Sequence, residues 1–133
     1  MLSYIDRIQL VVPDRDEAVA RWKALFDADF VGEDQSPLLG AKRTTVRAGA
    51  TEFELLEAHD PGRISRFSAA WRSGLYGVGF STPDLDEMAR HFDKLDIAYR
   101  EEDGRLYLAE EMTHGMPTVV SADGSREIGR AHV

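Results

Sequence analysis

At 133 residues, with 16 basic against 24 acidic side chains and no cysteine, the chain is one domain's worth of sequence carrying a net charge of −8. That balance argues against a general nucleic-acid or anionic-membrane surface, which needs a basic footprint, yet permits a small anion held by one or two arginines. Without cysteine there is no disulfide, thiolate nucleophile or sulfur-ligated metal, and no apolar run approaches the roughly 18 residues of a membrane span. The stretch Met1-Leu2-Ser3-Tyr4-Ile5-Asp6 lacks the basic-then-apolar layout of a signal peptide, so a cytoplasmic protein is expected.

Residues 5–12 read as a strand with Ile8, Leu10 and Val12 on one face and Arg7, Gln9 and Val11 on the other. Val12-Pro13-Asp14-Arg15-Asp16-Glu17 then ends the strand at a proline and offers Asp14 as helix cap, with Glu17 placed for the second half of a capping box. Ala18, Val19, Trp22, Leu25 and Phe26 follow at helical spacing. Residues 27–39 read as a weak strand running into a loop. Residues 41–48 and 51–57 flank Gly49-Ala50 as a hairpin, with Phe53 and Leu55 on one face and Glu52 and Glu54 on the other. If Phe53 and Leu55 face the helix, Glu54 looks the same way as Arg7. Ile64, Phe67, Ala70 and Trp71 mark a short helix or ordered connection within residues 59–73.

The pattern then repeats. Thr82-Pro83-Asp84-Leu85-Asp86-Glu87 matches the first motif at an offset of 70 residues. Residues 75–81 form its strand, with Tyr76, Val78 and Phe80 packed and Gly77, Gly79 and Ser81 open. Leu85, Met88, Phe92 and Leu95 mark its helix. Strands at 97–100 and 105–109 flank the turn signal Asp103-Gly104, and a last strand spans 118–121. Each copy is thus βαβββ, giving an α+β fold of two modules at about 4–58 and 75–122 inside a single domain of residues 1–126. The tail 127–133, Glu-Ile-Gly-Arg-Ala-His-Val, reads as the in-frame translation of a common short-read sequencing adapter. It is expected to be non-native and the gene to be of metagenomic or shotgun origin; a native polar tail is the other reading.

Phe53-Glu54-Leu55-Leu56-Glu57-Ala58, Ile64-Ser65-Arg66-Phe67 and Gly74-Leu75-Tyr76-Gly77-Val78-Gly79-Phe80 resemble segments of the vicinal oxygen chelate superfamily. That superfamily includes glyoxalases, bleomycin-resistance proteins and dioxygenases, and the resemblance is nearest its methylmalonyl-CoA epimerase and glyoxalase-like branch. It implies one curved, cup-shaped mixed sheet with helices outside. It also implies a divalent metal held at positions that fall here on Arg7, Glu54, Gly77 and Val119. Of these only Glu54 could ligate, since arginine keeps its proton and glycine and valine have no donor. The expectation is therefore no metal and no cofactor, with the Arg7 guanidinium paired to Glu54 where the ion would stand.

The expected ligand-binding residues are Arg7, Gln9, Arg47, Glu54, Gly77, Gly79 and Ser81, with Thr45 as an alternative to Arg47. Glu54 is the one catalytic candidate. His59, His91 and His114 read as solvated or locally bonded, Glu110-Glu111 and Glu101-Glu102-Asp103 as solvated acidic turns, and Trp22, Phe67, Trp71 and Phe92 as packing residues. The leading expectation is a small-molecule-binding protein. The alternatives are a metal-independent lyase or isomerase acting on a carbonyl or carboxylate with Glu54 as base, and a protein that sequesters a cationic antibiotic, helped by the negative charge. The expected partners are a small-molecule ligand and, as is common in the superfamily, a second copy in a homodimer, with no nucleic acid and no membrane.

Overall fold

The computed structural model describes residues 1–124, so the expectations for the 127–133 tail and its His132 lie outside the described residues. The first repeat consists of β1 (Tyr4–Val11), α1 (Arg15–Phe26), β2 (Asp29–Ser36), β3 (Ala41–Ala48) and β4 (Thr51–Ala58). After α2 (Arg63–Trp71), the second consists of β5 (Gly74–Thr82), α3 (Leu85–Lys94), β6 (Tyr99–Glu102), β7 (Arg105–Leu108) and β8 (Thr118–Ala122). The fold is α+β, as the repeat implied. Among the described residues no helix is long and apolar enough to cross a membrane.

Both repeats start their helix by the same local chemistry. Asp14 and Asp84 sit in extended backbone, and each side chain accepts from the N–H three residues on, Glu17 at 3.1 Å and Glu87 at 3.0 Å. A cap of this kind contributes about 1 kcal/mol. Glu17 itself is paired with Arg21 one turn along.

The chain divides into two compact units, Arg7–Gly77 and Met1–Asp6 together with the residues from Val78 on. In the first unit the strand order is β2-β3-β4-β1, with β1 parallel to β4 and the other pairs antiparallel. Helix α1 closes one face, burying Ala18 against Val46 and Leu55, with Leu10, Val12, Trp22 and Phe53 around them. In the second unit the order is β5-β8-β7-β6, with β5 parallel to β8. There α3 packs Met88 and Phe92 on Leu106, Leu108 and Val120. The first residues join this unit through Ser3, whose N–H donates to the Ser81 carbonyl at 2.7 Å and whose hydroxyl donates to Asp123 at 2.8 Å.

Some expectations need correction. The weak strand expected at 27–39 is a full strand, β2, because it pairs with β3 from Asp29↔Arg47 to Ser36↔Ala41 despite a register shift between Phe30 and Gly32. The strand expected at 97–100 lies at Tyr99–Glu102, since Ile97 is drawn into the Met88/Phe92 cluster instead. Leu25, Phe26, Leu95 and Trp71 carry core spacing but are exposed, Trp71 by 71%. Helical periodicity assigns a face; it does not say where the opposing sheet ends. Ile64 is fully buried and Phe67 meets Tyr76 edge-on at 5.5 Å, whereas Trp71 is the last residue of α2.

Candidate functional site

Alternation along a strand sends successive side chains to opposite faces, and the printed registers line them up across strands. With Phe53 and Leu55 turned to α1, the opposite face of the first unit carries three cross-strand rows. Arg7, Glu52, Arg47 and Asp29 form one, Gln9, Glu54, Thr45 and Gly32 the next, and Val11, Leu56, Arg43 and Asp34 the third. The first row alternates in sign from strand to strand. Arg7, Arg43, Glu52 and Glu54 are each at most 5% exposed, and charges this deeply placed persist only when matched by opposite charge and hydrogen bonds.

The matching is visible. One guanidinium nitrogen of Arg7 lies 3.5 Å from Glu54 Oε2, and Gln9 Nε2 donates to Glu54 Oε1 at 3.1 Å. Both carboxylate oxygens therefore face a donor. Arg43 grips Asp34 with two bonds of 2.8 and 2.7 Å, the fork geometry that makes arginine–carboxylate pairs strong. Arg47 is looser, 3.7 Å from Asp29, and retains part of its surface. Beside it, a side chain on Gly32 would meet nothing within 4 Å, so the middle row opens at Thr45 and Gly32.

The structure thus brings Arg7, Gln9 and Glu54 into one bonded set and places Arg47 and Thr45 on the same face. Gly77, Gly79 and Ser81 lie on β5. In the second unit Gly79 pairs with Val119 as Gln9 pairs with Glu54 in the first, and Ser81 pairs with Ser121 as Val11 pairs with Leu56. The two units share one register with different side chains. At the positions where the superfamily resemblance puts a metal, the donor set Arg7, Glu54, Gly77 and Val119 does not fit an ion: only Glu54 has a ligating side chain, and its two oxygens face N–H donors of Arg7 and Gln9. Among the described residues no three His, Asp or Glu side chains gather so as to hold a metal.

Two residues answer differently from the sequence reading. His91, expected on a solvated face, lines an apolar hollow of about 390 Å³ with Phe80, Met88, Phe92 and Met116, because it lies three residues after Met88 on the same side of α3. Tyr107 is the residue missed. It is buried on β7, on the face away from Leu106 and Leu108, and the alternation of Arg105-Leu106-Tyr107-Leu108 after the Asp103-Gly104 turn is the signal that could have found it.

A family model described as Glyoxalase/Bleomycin resistance protein/Dioxygenase superfamily matches residues 6–111. Comparison with the curated proteins finds no match. Among solved structures, methylmalonyl-CoA epimerase from Mycobacterium tuberculosis is similar at a TM-score of 0.81 and 16% identity, covering 91% of this chain and 88% of that one. A methylmalonyl-CoA epimerase in complex with methylmalonyl-CoA and NH4+ gives 0.81 at 18% identity, covering 94% and 97%. A hypothetical protein from Bacillus halodurans gives 0.75 at 15%, covering 90% and 93%. At such identities the likeness establishes the fold and leaves the chemistry to the residues of the site.

Proposed function

We infer, from the premise that this chain belongs to the glyoxalase/bleomycin resistance protein/dioxygenase superfamily, that it binds a small molecule through a protein-borne cation instead of a metal ion. The observation that carries this reading is the buried set in which Arg7 and Gln9 address the two oxygens of Glu54. A guanidinium is a fixed positive charge with several N–H donors, so it can orient a carboxylate, phosphate or carbonyl oxygen as a Lewis acid would, without needing a ligand shell. Glu54 fixes the guanidinium and offsets its charge. Arg47, more exposed and held only loosely, supplies the second contact. Methylmalonyl-CoA, which one similar structure contains, bears both a carboxylate and a carbonyl, and a ligand with such oxygens suits two arginines on one face.

The catalytic alternative makes Glu54 a base. Since both of its oxygens already accept, taking a proton would cost it an existing bond, and holding Arg7 is the role its geometry favours. A cytoplasmic location and a homodimer accompany this reading; β2, at the edge of its sheet with β3 as its neighbour, supports pairing between copies.

Calorimetric titration with methylmalonate, alongside metal analysis of the same sample, tests the proposal. The expected result is saturable binding with no stoichiometric divalent ion, weakened about tenfold or more by Arg7→Gln and largely kept by Glu54→Gln. Binding indifferent to Arg7→Gln, or one tightly held ion per chain, overturns it.

A further inference from the structure

On the α3 side of the second unit, where Phe80, Leu108 and Val120 face Met88, His91 and Phe92, lies the apolar hollow of about 390 Å³. An apolar cavity of about 150 Å³ takes one benzene ring, so this one has room for about ten to fifteen carbon atoms. Three of the chain's four methionines, Met1, Met88 and Met116, line it, and the exposed Met112 directly precedes Thr113, which lines it too. Methionine is flexible and polarisable and suits surfaces that adapt to apolar ligands. Thr113 and Thr118 both donate to the Met116 carbonyl, and His91 is the one titratable side chain of the lining. The mouth is acidic. A recess lined by Thr82, Pro83, Asp84 and Glu87 adjoins the hollow at Met1, which lines both, and the 3₁₀ turn Glu110–Thr113 sets Glu110 and Glu111 beside it. No lysine or arginine is in the lining; Lys94 lies two turns beyond Glu87 along α3. The 70-residue offset carries Glu17 to Glu87 and Arg21 to His91. Glu17 is paired with Arg21, whereas Glu87 is exposed and its carboxylate has no partner among the described residues.

We propose that the hollow binds a small hydrophobic amine, its apolar body among the methionines and its ammonium group directed to Glu87. The lining is apolar and of small-molecule size, and the charge at its mouth selects the sign of the ligand's polar end. An anionic amphiphile would meet Asp84, Glu87, Glu110 and Glu111 with no lysine or arginine of the lining to receive it. A second copy related by a twofold axis would set hollow against hollow and leave a void between them. The site uses the second unit alone and holds whether or not Arg7 binds an anion.

Methionine methyl spectra read the site directly, with 4-phenylbutylamine as probe. The methyl signals of Met88 and Met116 should shift saturably, and the melting temperature should rise with probe concentration. Glu87→Gln, a change at an exposed position, should weaken the amine about two- to fivefold and leave 4-phenylbutan-1-ol, of the same shape without the charge, within about twofold. His91→Trp, which fills the hollow, should weaken both probes about tenfold or more. Arg7→Gln should change neither by more than about twofold; failure of the methylmalonate titration would leave this site standing. The proposal is overturned by any of five results: no saturable methionine shift, amine affinity unchanged in Glu87→Gln, both probes unaffected by His91→Trp, 5-phenylpentanoate bound as tightly as the amine, or methionine shifts that follow protein concentration without probe, the mark of a second copy over the hollow.

Discussion

The two units have the same strand order, the same parallel pair and the same aspartate cap, yet their open faces differ in electrostatic kind. The first is built of charges that neutralise one another, the buried Arg7 with the buried Glu54 and the buried Arg43 with the exposed Asp34. The second has glycine, serine and tyrosine on β5, β8 and β7, with Arg105 on β7 and its charges otherwise gathered at β6, where Arg100 stands across from Tyr107 and Glu102 across from Arg105. The repeat therefore specifies a scaffold, and the residues at four or five register positions decide what each half can recognise. Burying charge ties the first unit's stability to its site, because removing Arg7 or Glu54 takes a charge partner from the other in a buried place.

The sharpest way to break that contrast is Arg7→Leu. Glu54 loses the ion pair with Arg7, and urea denaturation should show a loss of roughly 3–5 kcal/mol. Ser81→Ala on the second unit's face should change stability by less than about 1 kcal/mol. If the two variants cost the same, the charged face is not what holds the first unit. Adding Glu54→Leu to Arg7→Leu should recover most of the loss, to within about 1–2 kcal/mol of wild type, since an apolar pair of similar volume replaces an ion pair with little net change. Chelation by EDTA should leave the melting temperature where it is; a clear drop would place an ion in the fold.

Asp14→Ala and Asp84→Ala probe what the units share, and each should cost about 1 kcal/mol through the lost bond to the N–H three residues on. A large inequality between them would show that the repeat is one of letters only. Arg47→Ala should lower stability by no more than about 0.2–1 kcal/mol, its pair being partly exposed, while weakening methylmalonate binding. The smallest effect lies at the helix ends. Asp27 closes α1 in a left-handed conformation beside Lys23, whereas α3 ends at the apolar Leu95. The hydrogen bond and charge of Lys23 hold the Asp27 carboxyl below the usual carboxylate range. A depressed value means that this contribution is present at neutral pH and fades as pH falls through the folded-state value. Carbon-detected titration of Asp27 should show that depression, and Lys23→Ala should remove it.

How far the sequence reading reached can be seen in particular residues. Period-2 alternation in Asp6-Arg7-Ile8-Gln9-Leu10 and Glu52-Phe53-Glu54-Leu55 sufficed to put Arg7 and Glu54 on one face. Only the parallel register of β1 on β4 shows that Gln9, not Arg7, stands directly across from Glu54, with Arg7 reaching it from the neighbouring row. Likewise the helical stripe announced Trp22 and Phe92 as packing residues and misplaced Trp71, whose exposure depends on where the sheet stops.

The amino-acid sequence by itself determined the twofold βαβββ repeat, the capped helix starts, the turns at Gly49 and Asp103-Gly104, and the faces of β1 and β4. All of these follow from interactions between residues a few positions apart. The tertiary structure decided which charges neutralise which, that Arg43 is locked to Asp34 and Arg47 only lightly held, and that Ser81 and Tyr107 are buried on one face. Those outcomes rest on pairing between strands far apart in the chain, where a register shift of a single residue would exchange every face, and local spacing carries no record of that choice.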